Sequence, residues 1–186
     1  MFRHLTPVLA LAVVLALPVF GQESDNKDKS LDVRSSVGDL HVGKDADARK
    51  VGLPLYPGAR LKPDGEGKDQ ANLSVLTEAF GLKLIVANYD SDDAPAKVID
   101  FYRDKLKKYG KVLECHSQKH GVDVDDDKDS KAGKELKCDE NSGPVTELKV
   151  GTEDDQHVVA IEPRDAGKGT TFALVYVHTR GKRGEI

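Results

Sequence analysis

Tryptophan is absent, methionine occurs once, cysteine twice, and aromatic residues make up only 5% of the 186 residues. Without tryptophan, a cleft that stacks sugar rings lacks its best platform. Neither sign of charge dominates, with 28 Lys and Arg against 32 Asp and Glu for a net charge of -4, which argues against a dedicated nucleic-acid binder. Long hydrophobic runs are missing too. The longest, Val8 to Phe20, falls short of the roughly 20 apolar residues that a spanning helix needs, so no stable membrane anchor is expected. No GxSxG elbow, HExxH helix or dinucleotide fingerprint occurs, and no motif calls for a cofactor. The GKGTT stretch at 167–171 is no phosphate loop: the leading glycine is replaced by Glu162, and a strand-like FALVYV follows where a helix should start.

What is present reads as one globular domain behind an export signal. A 38% hydrophobic and 32% charged composition with recurring Val/Leu/Ile alternation excludes wholesale disorder, collagen and coiled coil. Arg3 and His4 precede the apolar run, Pro18 breaks its end, and Val19 and Gly21 suit processing before Gln22. Residues 1–21 therefore read as a signal peptide, with a periplasmic or secreted destination, and no lipobox cysteine follows. Residues 22–30 read as a flexible linker and 31–186 as a single α+β domain.

Export changes the reading of Cys115 and Cys138, because oxidising compartments let cysteine pairs close. Alternation places Leu113 with Cys115, and Leu136 with Cys138, on common faces of strand-like stretches, so both thiols are expected to point inward as a disulfide. Closing that loop stabilises by roughly 3 kcal/mol on the chain-entropy view. The pair lacks the CxxC spacing of a redox or metal motif.

Periodicity predicts an antiparallel-rich sheet with one main amphipathic helix packed on a face. Two short strands fall around Gly38 and Asp39, and KDADARKVG forms a polar or weakly helical connection. GLPLYPGA enters the sheet extended, with Leu55 or Tyr56 in the core. Asn72 to Phe80 and Leu82 to Tyr89 form a hairpin. In SDDAPAKVIDFYRDKLKKYG, Asp92 or Asp93 is expected to cap a helix with Pro95 in its first turn and Gly110 at its end; Val98, Tyr102, Leu106 and Tyr109 form its apolar stripe. Further strands are predicted at Val112 to His116, Glu135 to Cys138, Val145 to Val150, His157 to Glu162 and Phe172 to Thr179.

The chemistry-bearing candidates are few. Asp123, Asp125, Asp127 and Asp129 alternate as hard oxygen ligands do, but no count places glycine at the sixth and glutamate at the twelfth position of a calcium loop. His116 and His120 are candidate ligands for zinc or copper, although His116 shares a strand face with Glu114 and points away from Cys115. A hydrolase assembled only by tertiary folding would bring His157 or His178 beside Glu147 or Glu162. Asn72-Leu73-Ser74 meets the minimal glycosylation pattern at a strand start and reads as structural, and RGKRG at the C-terminus as a solvated basic tail. Charge is uneven, with a net of -7 over 120–155 and +4 over 97–119, which suits steering of a partner or self-association.

The YPGA block of Tyr56, Pro57, Gly58 and Ala59, followed by the VxxFYxxxL helix carried by Val98, Phe101, Tyr102 and Leu106, resembles a group of exported bacterial proteins of unassigned function. The resemblance covers the middle of the chain and implies fold and export; its motif residues are core and turn residues, so it conveys no catalytic residue. The expectation is an exported, non-enzymatic binding or envelope-associated domain with an envelope or extracellular ligand. A tertiary-assembled hydrolase and metal binding through the acidic loop are the alternatives.

Overall fold

In the computed structural model, residues 30–62, 70–118, 134–164 and 168–181 are described. Nine strands among them form one sheet: β1 (Leu31–Ser35), β2 (Gly38–Gly43), β3 (Arg60–Leu61), β4 (Gln70–Thr77), β5 (Gly81–Ser91), β6 (Leu113–Ser117), β7 (Val145–Thr152), β8 (Asp155–Pro163) and β9 (Thr170–Arg180). The order is β1-β2-β4-β5-β9-β8-β7-β6, with β3 also on β5, and every neighbouring pair is antiparallel. Two helices accompany it: the single turn α1 (Ala48–Val51) and α2 (Pro95–Leu106), which tightens into a 3-10 turn over Lys107–Tyr109. The described chain is thus mostly β, more so than an even α+β mixture, because α2 is the only long helix against nine strands.

Alternation along the central strands gives the sheet two apolar faces. On one, α1 packs against β5 and β9 while α2 packs against β7 and β8. Val98, Tyr102 and Leu106 of α2 are fully buried there against Ile85, Tyr89, Leu148, Val159, Ile161, Phe172 and Leu174. Each such side chain contributes about 1.5–3 kcal/mol by leaving water. The opposite face carries Val145, Val158, Ala160, Ala173, Val175 and Val177, with Leu82, Leu84 and Val86 partly buried beside them.

The YPGA block locks the helix to the sheet. Of the two expected insertions, Tyr56 is the buried one, and Leu55 stays 45% exposed. The Tyr56 ring meets Phe101 edge-on at 5.1 Å and lies 6.4 Å from Phe172. Its backbone N–H donates to the Tyr102 hydroxyl at 3.1 Å, and that hydroxyl donates to the Pro54 carbonyl at 3.2 Å. A buried tyrosine needs such partners, and burial pushes the Tyr102 hydroxyl well above its ordinary pKa.

Four local expectations differ from the structure. The residue capping α2 is Ala94, which makes no side-chain capping bond, rather than Asp92 or Asp93. Both aspartates are engaged elsewhere. Asp92 accepts from Arg60 Nη1 and Nη2 at 3.0 and 2.9 Å and from Arg164 at 3.1 Å, and Asp93 accepts from Tyr56 at 2.9 Å and Lys97 at 2.7 Å. Glu135 to Cys138 forms no strand: Glu135 makes one isolated bridge to Thr152, and the segment runs as a strap across the sheet margin. The first hairpin reverses at residues 36–37, before Gly38 and Asp39. Lastly, Tyr109 is 37% exposed at the end of the α2 stripe, although its hydroxyl still donates to the Gly52 carbonyl at 2.5 Å.

Candidate functional site

Antiparallel register builds the surface chemistry row by row. On the helix-bearing face, beyond the helices, β1 to β8 align Asp32, His41, Ser74, Lys83, His178 and Asp155 as successive cross-strand partners. This is a polar strip across six strands. At one end, His41 Nδ1 lies 2.7 Å from Asp32 Oδ1, and its Nε2 lies 3.6 Å from Asp45 Oδ1. The hydrogen bond with Asp32 is the main influence raising the His41 pKa, with Asp45 adding to it. Asp45 accepts from Asn72 Nδ2 at 3.2 Å and pairs with Lys50, and it is held at about 2, chiefly by Lys50. Gly43 makes this close grouping possible, since a Cβ there would sit 2.6 Å from Asp45 Oδ1.

At the other end His178 Nδ1 stands 3.8 Å from Asp155, both side chains about half exposed. Tyr176 stacks 6.5 Å from His178, and Lys83 lies over the Tyr176 ring at 5.7 Å. His157 belongs to the packing rather than to the open surface. Its ring stacks on Tyr109 at 4.1 Å and meets the Tyr176 ring at a tilt at 4.9 Å, and burial lowers its pKa against the opposing pull of the Val51 backbone.

The hydrolase arrangement requires one of these histidines beside Glu147 or Glu162. Parity places His157 and His178 with Val159 and Leu174 on the helix face, whereas Glu147 and Glu162 align with Val145, Val158 and Ala160 on the other. The sheet stands between them. Glu147 is buried and accepts from Ser117 Oγ at 2.9 Å and pairs with Lys149 at 3.3 Å; Lys149 also donates to Asp139 at 3.0 Å. Burial pulls the Lys149 pKa down, but Asp139 and Glu147 outweigh it and the net direction is up.

That ion cluster belongs to the β6 margin, where the predicted disulfide is found. Cys115 and Cys138 are bonded, with Cα atoms 5.4 Å apart; Cys115 is buried and Cys138 half-buried. The strap is then pinned along β6 by the bridge of His116 to Asn141 and by the Gln118 backbone N–H and side-chain amide, donating to Glu140 at 3.2 Å and to the Ser142 carbonyl at 2.6 Å. At Gly143 the backbones approach so closely that a Cβ would fall 2.0 Å from the Ser117 carbonyl oxygen. His116 thus lies in this edge, its backbone bridged to Asn141. His120, Asp123, Asp125, Asp127 and Asp129 lie outside the described residues, as do residues 1–21, and among the described residues no three His, Cys, Asp or Glu side chains are grouped to hold a metal.

The opposite margin of the sheet has another character. On the face away from the helices, Leu31, Val42, Leu73, Leu84 and Val177 align across five strands, and Val33, Leu40, Val75 and Leu82 align beside them. Burial fades along the first row: Val177 is 2% exposed, Leu73 and Leu84 intermediate, Val42 43% and Leu31 55%. The apolar layer of the domain thus runs out to an open wing made of β1, β2 and β4. The sequence placed two short strands around Gly38 and Asp39 and read Asn72-Leu73-Ser74 as structural, but assigned the wing no binding role, although the alternation of Leu31 and Val33 with Asp32 and Arg34 is a readable signal. No protein-family model, curated protein or solved structure matches this chain.

Proposed function

We propose that this chain is an exported, non-enzymatic binding domain, related to the exported proteins that share the YPGA block and VxxFYxxxL helix, and that its working surface is the wing of β1, β2 and β4. The observation that carries the reading is the apolar row from Val177 out to Leu31, which leaves the buried core and reaches solvent at a sheet edge that no described strand covers. Contiguous exposed apolar surface beside an unpaired strand is what a polypeptide partner engages by adding a strand of its own: backbone bonds give affinity and alternate side chains give specificity. The disulfide fits an oxidising, exported setting. The separation of His157 and His178 from Glu147 and Glu162 favours binding over hydrolysis.

The test is an apolar reporter dye, anilinonaphthalene sulfonate, titrated against the wild type and a V33K/V42K variant. Saturable dye fluorescence that the variant loses, with far-UV circular dichroism unchanged, supports the wing as the binding surface. Absent dye binding, or equal binding by the variant, removes it.

A further inference from the structure

The strand at the edge of the wing is complementary to itself. β1 reads Leu31, Asp32, Val33, Arg34, Ser35, and all five residues are exposed. Proteins usually blunt a free edge with lysine, proline or a bulge. β1 has none of these, and its two edge charges, Asp32 and Arg34, are of opposite sign, so they repel a second strand only in registers that set like charges together; its register with β2 is unbroken from Leu31 opposite Val42 to Ser35 opposite Gly38. The two-residue turn makes Ser35 and Gly38 the closing hydrogen-bonded pair, so Leu31, Val33 and Ser35 direct their backbone groups to β2. Asp32 and Arg34 direct theirs outward, where no described strand lies.

A second copy of β1 running antiparallel must therefore pair outward-facing residues with outward-facing residues. Three registers meet that condition. Two of them place Asp32 opposite its own copy, or Arg34 opposite its own copy, setting like charges face to face. The third is centred on Val33 and places each Asp32 opposite the Arg34 of the second molecule. In that register both charge pairs are attractive, each Asp32–Arg34 pair exchanges two backbone bonds, and the two Val33 side chains meet on the apolar face. We infer that the chain forms a two-fold symmetric homodimer through antiparallel β1 to β1 pairing centred on Val33, joining two wings into one continuous sheet. Arg34 makes no ion pair within the described residues, so its guanidinium is available; Asp32 already holds His41 with one oxygen and keeps the other.

The inference rests on the wing being the working surface and names its occupant. It is tested with the full chain by sedimentation velocity over a concentration series, on the wild type, D32R, R34D and an equimolar mixture of the two variants. The wild type dimerises, and each variant alone dissociates about tenfold or more readily, because both pairs become repulsive. The mixture recovers the wild-type affinity, since one variant is then all-cationic and the other all-anionic across the interface; recovery also shows that the variants fold. Oxidative cross-linking locates the register, with V33C linking to itself and L31C failing to. A wild type that stays monomeric, variants that dimerise normally, or a mixture without recovery overturns the inference. The two readings fail separately: a monomer that still binds the dye sinks the dimer alone, whereas a dimer that does not bind the dye sinks the wing as an apolar binding face and leaves the pairing standing.

Discussion

The two margins of the sheet are strands of equal length, five residues each, and they are treated in opposite ways. At β6 a strap crosses the edge, tied by the Cys115–Cys138 bond, the His116 to Asn141 bridge and the Gln118 hydrogen bonds, with Glu147 buried beneath it and paired to the half-buried Lys149. At β1 nothing among the described residues covers the edge, and the apolar layer rises to 55% exposure at Leu31. Chain that seals one end of a sheet with a covalent bond, an ion pair on a buried carboxylate and a close glycine contact has solved the edge problem there. Among the described residues the other end carries a charge pattern and no cover, which fits an edge kept for pairing.

The sealed end is where substitutions should cost most. Lys149→Ala leaves the Glu147 carboxylate buried with only Ser117 as a donor, and a loss of about 3–5 kcal/mol is expected in urea unfolding. Replacing both cysteines by alanine should cost roughly 3 kcal/mol on the chain-entropy view, and amide exchange should rise first along β6. If the β6 amides stayed as protected as before, the disulfide would not be what closes that edge.

The two ends should also answer pH with opposite signs. His41 sits in the wing with its pKa raised by Asp32 and Asp45, so its contribution is fully present below its ordinary value of 6.5 and is lost as pH rises through the elevated folded value. His157 is packed on Tyr109 and Tyr176 with its pKa lowered by burial; its contribution is present above 6.5 and fades as pH falls from there toward the depressed value. Acidification near neutrality should therefore fasten the β1–β2 hairpin while loosening the packing at the end of α2. Histidine ring titrations by NMR check this: His41 should titrate above and His157 below 6.5, and H41A should remove the pH dependence of hairpin exchange. The smallest expected effect belongs to R34D, whose side chain is exposed at the edge; fold stability should change by less than about 1 kcal/mol while self-association changes tenfold or more.

Much of the scaffold was legible because local pattern and tertiary role agree. The stripe of Val98, Tyr102 and Leu106 and the hairpin of β4 and β5 follow from spacing and turn chemistry, the inward alternation of Cys115 agrees with its disulfide, and the choice of Tyr56 over Leu55 as the core insertion is made only by the fold. Two misses show where pattern stops. Asp92 and Asp93 look like helix caps, but Arg60, Arg164, Tyr56 and Lys97 compete for them through contacts no local window contains. Glu135 to Cys138 alternates as a strand does, yet the disulfide and the bridge at Asn141 hold it as a strap at the edge. The candidate site was least legible. Its rows, Asp32 to Asp155 on one face and Leu31 to Val177 on the other, exist only once the strand order and register are set, and those depend on partners as far apart in sequence as Lys83 and His178.

The most direct measurement is amide hydrogen exchange of the full chain at low and high protein concentration, following the two margins together. The account predicts β6 amides that exchange slowly at both concentrations, and Asp32 and Arg34 amides that exchange fast when dilute and become protected when concentrated. Asp32 and Arg34 amides equally protected at every concentration, or β6 exchanging as fast as β1, would contradict it.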